Sequence, residues 1–241
     1  MFIKKIIRPI FVFLRLDLTR NLKYDRLTAK IMKKIINKDT NCIDVGCHKG
    51  EMLAQMIALA PNGKHFAFEP IPEMYKQLKK KYGERVSVFP YAVSDQNGNS
   101  SFQFVKNSAA YSGLKKRKYD IKNPDIEEIN VGLVTLDEVI PENLKIGFIK
   151  VDVEGAEFSV LKGAEKLLKR CVPTVIFEFG LGASDFYGTT PESLFRFVQS
   201  VNMNIYTLDH FLKGKSKLTE ADFCVYYKEN REYYFILYSN H

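Results

Sequence analysis

Acidic residues follow a hydrophobic segment in the stretch GFIKVDVEGAE at residues 147–157. Asp152 and Glu154 alternate with two valines, so in a strand both carboxylates would share one face. Glu157 comes three residues later, where the first turn of a following helix favours negative charge. Buried carboxylates are costly unless they are paired. The stretch therefore predicts an acidic site at the end of a core strand, with Lys150 on the same face to balance part of its charge.

A further carboxylate, Glu178, lies near the end of the next predicted strand, Thr174–Phe179. If the two strands are parallel neighbours, Asp152, Glu154 and Glu178 converge at one edge of a sheet. Three uses remain open for them: holding the hydroxyls of a substrate, accepting a proton as a general base, or binding a hard divalent cation. The alternative without catalysis is structural ion pairing with Lys150 and helix N-termini.

A second candidate site is the segment IDVGCHKG at residues 43–50. Gly46 and Gly50 permit a tight turn and the close approach of a ligand. Asp44 stands directly before the turn, and Glu69 ends the next predicted strand, 19 residues after Gly50. A carboxylate in that place can accept hydrogen bonds from both hydroxyls of a ribose. The pattern therefore predicts an adenosine-containing cofactor.

The glycine spacing discriminates between cofactors of this kind. NAD-binding loops require GxGxxG, which places a pyrophosphate at a helix N-terminus. Here the glycines read GxxxG, and Asp44 would repel a pyrophosphate. S-adenosylmethionine carries an ammonium and a sulfonium but no phosphate, so an aspartate in this place favours it. We therefore predict S-adenosylmethionine, with a tight turn that binds no ligand as the alternative.

From residue 40 onward, strand and helix patterns alternate along the chain. Repeated β-α units predict an α/β fold with an open, mostly parallel sheet and helices on both faces. Ligands of such sheets bind at the carboxyl ends of the strands, where the strand order reverses. The predicted strands are Cys42–Val45, His65–Glu69, Val86–Tyr91, Ser101–Val105, Val131–Leu136, Gly147–Val153, Thr174–Phe179, Asn204–Leu208 and Tyr233–Tyr238. The predicted helices are Lys49–Ala60, Pro72–Tyr82, Ala156–Leu168, Pro191–Ser200 and one capped by Thr219.

The charge of the chain is concentrated at one end. The 241 residues carry a formal net charge of +8, and residues 1–40 alone hold 11 Lys or Arg against 3 Asp or Glu. We therefore predict a basic, amphipathic, mostly helical extension at residues 1–39 and a catalytic domain at 40–241, with an insertion at about 100–136. Residues 1–20 contain no apolar run long enough to span a bilayer. They favour peripheral contact with an anionic membrane surface, and the alternative is a helix packed on the domain.

The rest of the chain is neutral, so we expect no nucleic acid partner, and we find no catalytic NPPY-like motif. The four cysteines form no CxxC pair, which favours reduced thiols in the core. We therefore predict a cytoplasmic location, either free or peripheral at the inner face of the membrane. These cysteines are Cys42, Cys47, Cys171 and Cys224.

The string IKVDVEGAEFSVLKGA at residues 149–164 resembles the signature of the FkbM family of S-adenosylmethionine-dependent methyltransferases. The resemblance covers about residues 40 to 180, is weaker towards the C-terminus and leaves out residues 1–40. In one departure, Cys47-His48 replaces the Ala-Asn usual in the family's first loop. The other matches are Asp44-Val-Gly with Gly50, Glu69-Pro70-x-Pro72, Tyr91-Ala92-Val93-Ser94, Thr135-Leu136-Asp137, and Pro173 with Glu178.

The resemblance implies a Rossmann-like class I methyltransferase fold, with a seven-stranded sheet, an antiparallel final strand and a β-hairpin or flap insertion. It also implies a role for each matching residue. Asp44, Gly46 and Gly50 would hold the methionine end of the cofactor, with Cys47 and His48 beside them. Glu69 and Pro70 would hold the ribose, Ala92 and Val93 the adenine edge, and Asp152 and Glu154 would face the methyl group and the substrate.

We therefore predict an O-methyltransferase that acts on a hydroxyl of a small-molecule or lipid-linked glycan, or of a related metabolite. The order of preference for the proton acceptor is Asp152, Glu154 and Glu178, with His210 as a weaker alternative. The basic run at 115–118, in an insertion or flap at 106–130, could hold a phosphorylated sugar or lie in solvent. Two other classes stay open: an NAD(P)-dependent sugar-modifying enzyme and a non-catalytic, membrane-associated binding module.

Overall fold

The computed structural model describes residues 20–119 and 121–239, which form an α/β fold. The strands are β1 (Cys42–Val45), β2 (His65–Phe68), β3 (Val86–Phe89), β4 (Tyr91–Val93), β5 (Gly98–Val105), β6 (Ile126–Val134), β7 (Phe148–Val151), β8 (Thr174–Glu178), β9 (Asn204–Thr207) and β10 (Tyr234–Tyr238). The α-helices are α1 (Arg20–Ile35), α2 (Glu51–Leu59), α3 (Pro72–Tyr82), α4 (Leu136–Val139), α5 (Glu157–Lys162), α6 (Glu165–Cys171), α7 (Pro191–Ser200), α8 (Leu208–Leu212) and α9 (Glu220–Lys228).

Seven strands form the main sheet in the order β3-β2-β1-β7-β8-β10-β9. The final strand, β10, pairs antiparallel with both of its neighbours, and the other pairs are parallel. The predicted seven-stranded, mostly parallel sheet with an antiparallel last strand is confirmed. The strand order reverses between β1 and β7, so the loops after these two strands meet at the edge where such sheets bind ligands.

A smaller sheet contains β4, β6 and β5 in that order, with β5 and β6 antiparallel as predicted. The prediction of one strand over Val86–Tyr91 was wrong, because Pro90 separates β3 in the main sheet from β4 in the small one. Proline has no N–H to donate to a strand ladder, so pairing stops there. The predicted flap at 106–130 was also too long. Residues 126–130 belong to β6, whose exposed face carries the charged residues that resembled a loop.

Two helix predictions needed correction. The predicted helix Ala156–Leu168 is two helices, α5 and α6, separated at Gly163. A side chain there would place its Cβ 2.0 Å from the carbonyl oxygen of Ser94, so the backbone passes where only glycine fits. Helix α8 was missed, because its short sequence after a strand resembled a polar turn. It is capped by Thr207, whose hydroxyl accepts a hydrogen bond from the backbone N–H of His210.

Helices cover both faces of the main sheet, in two hydrophobic clusters. One cluster includes α1, which buries Tyr24, Leu27, Thr28, Ile31 and Met32 against the sheet. The strand residues beneath this helix are Cys42, Phe148, Ile176 and Ile236. Helix α1 thus packs on the domain as an amphipathic helix with its basic residues outward.

The predicted membrane contact of residues 1–20 lies almost wholly outside the described residues. Within them, we find no helix that combines the length and the apolar character needed to cross a bilayer. The four cysteines are free and buried, which confirms the prediction of core thiols.

Candidate functional site

The site begins where the sheet face under α1 changes from apolar to polar. Two residues beyond the apolar row, Asp44 of β1 lies in register with Lys150 of β7. On the next strand pair, Glu178 of β8 lies opposite Tyr234 of β10. Because side chains alternate along a strand, these polar groups point to the same face as the apolar residues two positions earlier. The carboxyl ends of the central strands therefore form one polar cluster beneath α1.

The loop after β1 requires glycine because it presses against the end of β7. Gly46 has a φ of 77°, and a Cβ on it would lie 1.9 Å from the carbonyl oxygen of Asp152. Gly50 has a φ of 72°, and its Cβ would lie 2.8 Å from a methyl group of Leu78 on α3. Both glycines make the tight turn that was predicted. However, the close contacts are to protein atoms, and only Gly46 also lines the cavities described next.

A cavity of about 190 Å³ lies at the ends of β1, β2, β4 and β7. Glu69 and His48 lie at one side, and Asp152 and Glu154 at another. Between them the lining includes the apolar residues Ile71, Ala92, Val93 and Phe102, together with Pro70. The cavity thus joins the predicted ribose, adenine and acceptor residues in a single space.

Glu69 is held rigidly at this cavity, with 4% of its surface exposed. Its Oε2 accepts a hydrogen bond from the N–H of His48 at 2.8 Å, and its Oε1 accepts one from the N–H of Ile71 at 3.0 Å. Burial raises the pKa of Glu69 to about 7, and the two backbone hydrogen bonds oppose the shift. Each oxygen retains a second lone pair for a ligand hydroxyl.

Asp44 lines a second cavity, of about 140 Å³, which shares Gly46, His48 and Asp152 with the first. It is 1% exposed, and apart from a weak contact with the backbone N–H of Leu53 neither of its carboxylate oxygens has a hydrogen-bond partner among the described residues. Burial raises its pKa to about 6, while the charge of Lys150 opposes the rise. Since buried polar groups are nearly always paired, this carboxylate fits a cationic ligand group that the cavity would hold. The ammonium and sulfonium of S-adenosylmethionine are groups of this kind.

The two residues that depart from the family's loop pattern have different environments. His48 lines both cavities, and burial lowers the pKa of its ring. Cys47 lines the second cavity but is 6% exposed and packs in a hydrophobic cluster with Leu53 and Leu78. Of the two, the neutral His48 ring has the better access to a ligand.

The three predicted carboxylates do converge. Oxygen atoms of Asp152, Glu154 and Glu178 all lie within 4.8 Å of one another. Asp152 Oδ2 accepts hydrogen bonds from Lys150 Nζ at 2.7 Å and from the Tyr234 hydroxyl at 2.8 Å. Burial alone would raise the pKa of Asp152, but these two partners hold it below its ordinary value. Asp152 is therefore ionised throughout the neutral range.

Glu154 reaches the cluster through a turn and not through a strand. Strand β7 ends at Val151, so the predicted strand Gly147–Val153 was too long at its end. Glu154 has a left-handed φ of 61°, and it therefore does not share a strand face with Asp152. Its carboxylate contacts the guanidinium of Arg117, which comes from the flap, here defined as residues 106–125. Burial and the charge of Asp152 raise the pKa of Glu154 to about 8, and Arg117 opposes the rise.

The basic run at 115–118 was expected to lie in solvent or to hold an anionic sugar. The structure shows that its four residues differ in burial. Arg117 is half-buried against Glu154, whereas Lys115, Lys116 and Lys118 are exposed. The N–H of Lys115 donates to the hydroxyl of Tyr187 at 3.0 Å, which ties the flap to the loop after β8. The flap therefore closes over the carboxylate cluster.

The sequence patterns did not predict two residues that contact the carboxylate cluster, Tyr234 and Arg117, and they did not predict the full role of a third, Glu157. Tyr234 lies in an apolar strand and gave no signal, and Arg117 resembled a solvated lysine neighbour. Glu157 was expected at a helix N-terminus, but it is 1% exposed and its Oε1 accepts hydrogen bonds from the N–H groups of Val153 and Gly155, at 3.0 and 3.1 Å. It therefore fixes the turn that carries Asp152 and Glu154. His210, the alternative base, lines neither cavity.

A divalent cation would find three oxygen donors at Asp152, Glu154 and Glu178. Two of these donors already contact Lys150 and Arg117. Burial and the charges of Asp152 and Glu154 hold the pKa of Glu178 well above its ordinary value. Cationic side chains of the protein thus already contact two of the three oxygen donors.

Comparison with known proteins identifies relatives of this arrangement. A family model described as the methyltransferase FkbM domain matches residues 44–202. The AMB antimetabolite synthetase AmbE of Pseudomonas aeruginosa is 22% identical in an alignment 180 residues long that covers 60% of this chain and 8% of AmbE. The crystal structure of a methyltransferase FkbM from Methylobacillus flagellatus KT superposes with a TM-score of 0.51 at 15% identity, over 90% of this chain and 52% of that chain. The chain thus corresponds to a small part of AmbE and to about half of the Methylobacillus chain.

The raised carboxyl pKa values predict how ligand affinity depends on pH. If Asp44 and Glu69 bind S-adenosylhomocysteine as carboxylates, affinity is greatest above pH 7. It then falls as Glu69 and Asp44 take up protons, near pH 7 and pH 6, by up to about tenfold per pH unit for each group. Isothermal titration calorimetry between pH 5 and 8 measures this. The Asp44→Asn variant should bind weakly and lose the steeper slope below pH 6, and an affinity independent of pH would contradict the assignment.

Proposed function

The chain belongs to the FkbM methyltransferase family, and from that premise we propose that it transfers the methyl group of S-adenosylmethionine to a hydroxyl oxygen of a sugar, a glycan or a related metabolite. The observation that carries the proposal is that an ionised Asp152 and a less acidic Glu154 line the same cavity. The unpaired Asp44 lies next to that cavity. Hydroxyl methylation needs these two things together: a place for a cationic donor and an acceptor for the hydroxyl proton.

The alternative classes are less well supported. An NAD(P)-dependent enzyme would have to place a pyrophosphate near Asp44, whose buried carboxylate would repel it. A non-catalytic binding module would have no use for three carboxylates clustered beside a cavity. Family membership also favours the methyltransferase over both.

The residues around the two cavities would bind different parts of S-adenosylmethionine, the methyl donor. Glu69 would accept the ribose hydroxyls, and Ala92 and Val93 would contact the adenine. Asp44, in the second cavity, would pair with positive charge near the methionine end. When bound, S-adenosylmethionine supplies an electrophilic methyl group.

We assign Asp152 the task of orienting the acceptor hydroxyl. Lys150 and Tyr234 both bind its Oδ2, which leaves Oδ1 to accept a hydrogen bond from the substrate. The partners fix the carboxylate in position, and holding a nucleophile at attack distance is a large part of catalysis. However, the same partners lower its basicity, so Asp152 is a poor final destination for the proton.

Glu154 is better suited to take the proton, because its pKa of about 8 lies near the operating range of a general base. The acceptor oxygen forms a bond to the methyl carbon as the bond from that carbon to sulfur breaks, and the hydroxyl proton passes to Glu154. We therefore place Glu154 ahead of Asp152 as the base, which changes the order expected from the sequence. Glu178, whose pKa is raised by burial and by the neighbouring carboxylates, would donate a hydrogen bond to Asp152 in its protonated form.

The acceptor would enter between the flap and the loop at residues 180–190. This is where Arg117 contacts Glu154 and where the hydroxyl of Tyr187 contacts the flap. The exposed Lys116 and Lys118 nearby would favour an acceptor that carries a phosphate or a nucleotide. We also propose that residues 1–20 hold the enzyme at an anionic membrane surface on the cytoplasmic side, where lipid-linked sugars are accessible.

Substitution of each carboxylate tests the division of labour. In the wild type, kcat should rise with pH up to about 8, since Glu154 must be unprotonated to accept the proton. Glu154→Gln should lower kcat by about a hundredfold or more and abolish that rise. Asp152→Asn should lower kcat by a similar factor but keep the pH dependence, because Glu154 remains. Steady-state kinetics over pH 6 to 9 measure these differences.

The dissociation constant of S-adenosylhomocysteine serves as the control, and it should change little in Glu154→Gln. An unchanged kcat in both variants would contradict the proposed base. Activity should also survive treatment with a chelator, since Lys150 and Arg117 already balance the cluster. Loss of activity that Mg²⁺ restores would instead support a metal-dependent mechanism.

The acceptor class can be tested in cells that lack the protein. Mass spectrometry of their glycans and glycolipids should show species lighter by the mass of one CH₂ group, and the full chain should restore the methylated forms. A chain without residues 1–19 should restore them less well and should leave the membrane fraction. Identical glycan profiles with and without the protein would rule out a glycan acceptor and direct the search to other hydroxyl metabolites.

A further inference from the structure

We infer that helix α1, which precedes the matched family region, is part of the methyl-donor site. In this inference Tyr24 and Thr28 line the space for the amino-acid end of the donor, and Tyr24 positions Tyr234 against Asp152. The inference rests on the proposed function, because it concerns the donor of that same reaction. Four observations support it: the lining of the second cavity, its charges, the anchoring of the helix and the contacts that lead to Asp152.

The first observation is that α1 forms one side of the second cavity. Tyr24, Asp25 and Thr28 line it from the helix, and Asp44 lines it from the strand edge. Tyr24 is 3% exposed and Thr28 is 2% exposed, so the helix places polar side chains in the interior at this point. Further along the helix, the buried residues Ile31 and Met32 are apolar, as expected for a purely structural face. The polar character is therefore confined to the turn that faces the cavity.

The second observation is the mixture of charges in this small space. A free amino-acid group carries an ammonium and a carboxylate, and it needs opposite charges near each. The residues that line the cavity include the acidic Asp25, Asp44, Glu51 and Asp152 and the basic Lys49 and Lys150. The first cavity, with its apolar middle and Glu69, suits the nucleoside instead. The two cavities meet at Gly46, His48 and Asp152, where a ligand that spans both would pass.

The third observation is that α1 is anchored to the chain just before β10. The Tyr24 hydroxyl and the Lys23 ammonium both bind the Glu232 carboxylate, the latter at 2.8 Å. The Arg20 guanidinium donates to the carbonyl of Arg231 at 3.0 Å and lies 4.4 Å from the centre of the Tyr233 ring. These partners are more than 200 residues apart in the sequence, so the folded core fixes the helix in place.

The fourth observation is a chain of contacts from the helix to the reactive carboxylate. The Tyr24 ring stacks on the Tyr234 ring with centroids 4.9 Å apart and an interplanar angle of 29°. The Tyr234 hydroxyl donates to Asp152 Oδ2 at 2.8 Å. The N–H of Tyr233 donates to the Tyr24 hydroxyl at 3.3 Å, which holds the two segments in register. Tyr24 is thus a positioning residue, which acts on Asp152 through Tyr234.

Two ligands separate the amino-acid end from the nucleoside. S-adenosylhomocysteine has both parts, whereas 5′-methylthioadenosine has the nucleoside and sulfur but no amino-acid group. Calorimetry of the full chain should show that Thr28→Val lowers the affinity for S-adenosylhomocysteine by about fivefold to tenfold, as expected for one lost hydrogen bond. The affinity for 5′-methylthioadenosine should not change. Ile31→Val is the matched control, because it trims the same helix away from the cavity. It should lower the melting temperature without changing the ratio of the two affinities.

The positioning role of Tyr24 is tested by a pair of variants. Tyr24→Leu removes the stacking on Tyr234 and should lower kcat by about tenfold or more. Tyr24→Phe keeps the ring and should restore most of kcat even though it loses the contact with Glu232. The inference would be contradicted if Tyr24→Phe lost as much kcat as Tyr24→Leu and if the loss of kcat followed the loss of thermal stability. Tyr24 would then have a structural role only.

The outcomes also distinguish this inference from the proposed function. If the wild type binds S-adenosylhomocysteine but Thr28→Val does not change the ratio of the two affinities, α1 does not line the donor site and the inference fails. If the wild type binds neither ligand, the proposed methyltransferase function fails as well. Hydrogen exchange adds an independent readout. The amides of α1 should gain protection with S-adenosylhomocysteine but not with 5′-methylthioadenosine, and equal protection by both would contradict the inference.

Discussion

The buried ammonium of Lys150 is the interaction on which the site depends. Lys150 lies at the centre of the sheet and is 7% exposed. It is beside Asp44 of the neighbouring strand β1, and its ammonium contacts Asp152, which follows its own strand β7. Burial alone would lower the pKa of Lys150, but the charges of Asp152 and Asp44 raise it above its ordinary value. One positive charge thus supports two carboxylates that a protein interior would otherwise neutralise. Without it, neither a cationic donor nor an acceptor hydroxyl would meet an ionised partner at this place.

The topology brings these groups together by pressing three loops against one another. The loop after β1 touches the end of β7 at Gly46, and the turn after β7 touches the loop after β8 at Gly155, where a Cβ would lie 2.6 Å from the carbonyl oxygen of Ala183. Both glycines have positive φ values. Because each contact leaves no room for a side chain, the carboxylates of three strands converge, and the Glu157 carboxylate locks the turn between them. The reversal of strand order thus determines where the candidate site forms.

The sequence was informative wherever chemistry is encoded by neighbouring residues. The sequence context alone predicted where three acidic features lie. They are Asp44 before a glycine turn, Glu69 at the end of the next strand and the acidic string after β7. By contrast, Tyr234 binds Asp152 from 82 residues away, and Arg117 reaches Glu154 from a flap 37 residues away. Local patterns carry no information about such partners, since the tertiary fold alone brings them into contact. The same holds for the early end of β7 and for the break at Gly163, which follow from the close approach of distant backbone.

These features make the acidic string a part of a larger electrostatic unit. One ammonium from the strand contacts Asp152, one guanidinium from the flap contacts Glu154, and burial raises the pKa of Glu178. The result is two carboxylates with different basicity a few ångströms apart, one suited to orient a hydroxyl and one to receive its proton. Helix α1, which lies before the matched residues 44–202, contacts this unit through the stacking of Tyr24 on Tyr234.

The pH dependence of stability in a Lys150→Met variant tests this central claim most directly. Without the ammonium, burial would raise the folded-state pKa of Asp44 further, and it would move the pKa of Asp152 from below its unfolded value to above it. The native state then binds more protons than the unfolded state, and stability falls as pH rises. Denaturant unfolding should show a variant that is folded near pH 5 and that loses stability relative to the wild type as the pH rises towards 8. The loss should be up to about 1.4 kcal/mol per pH unit for each affected carboxyl, and Asp44 should contribute only above about pH 6. Parallel stability curves for the two proteins would contradict the role given to Lys150.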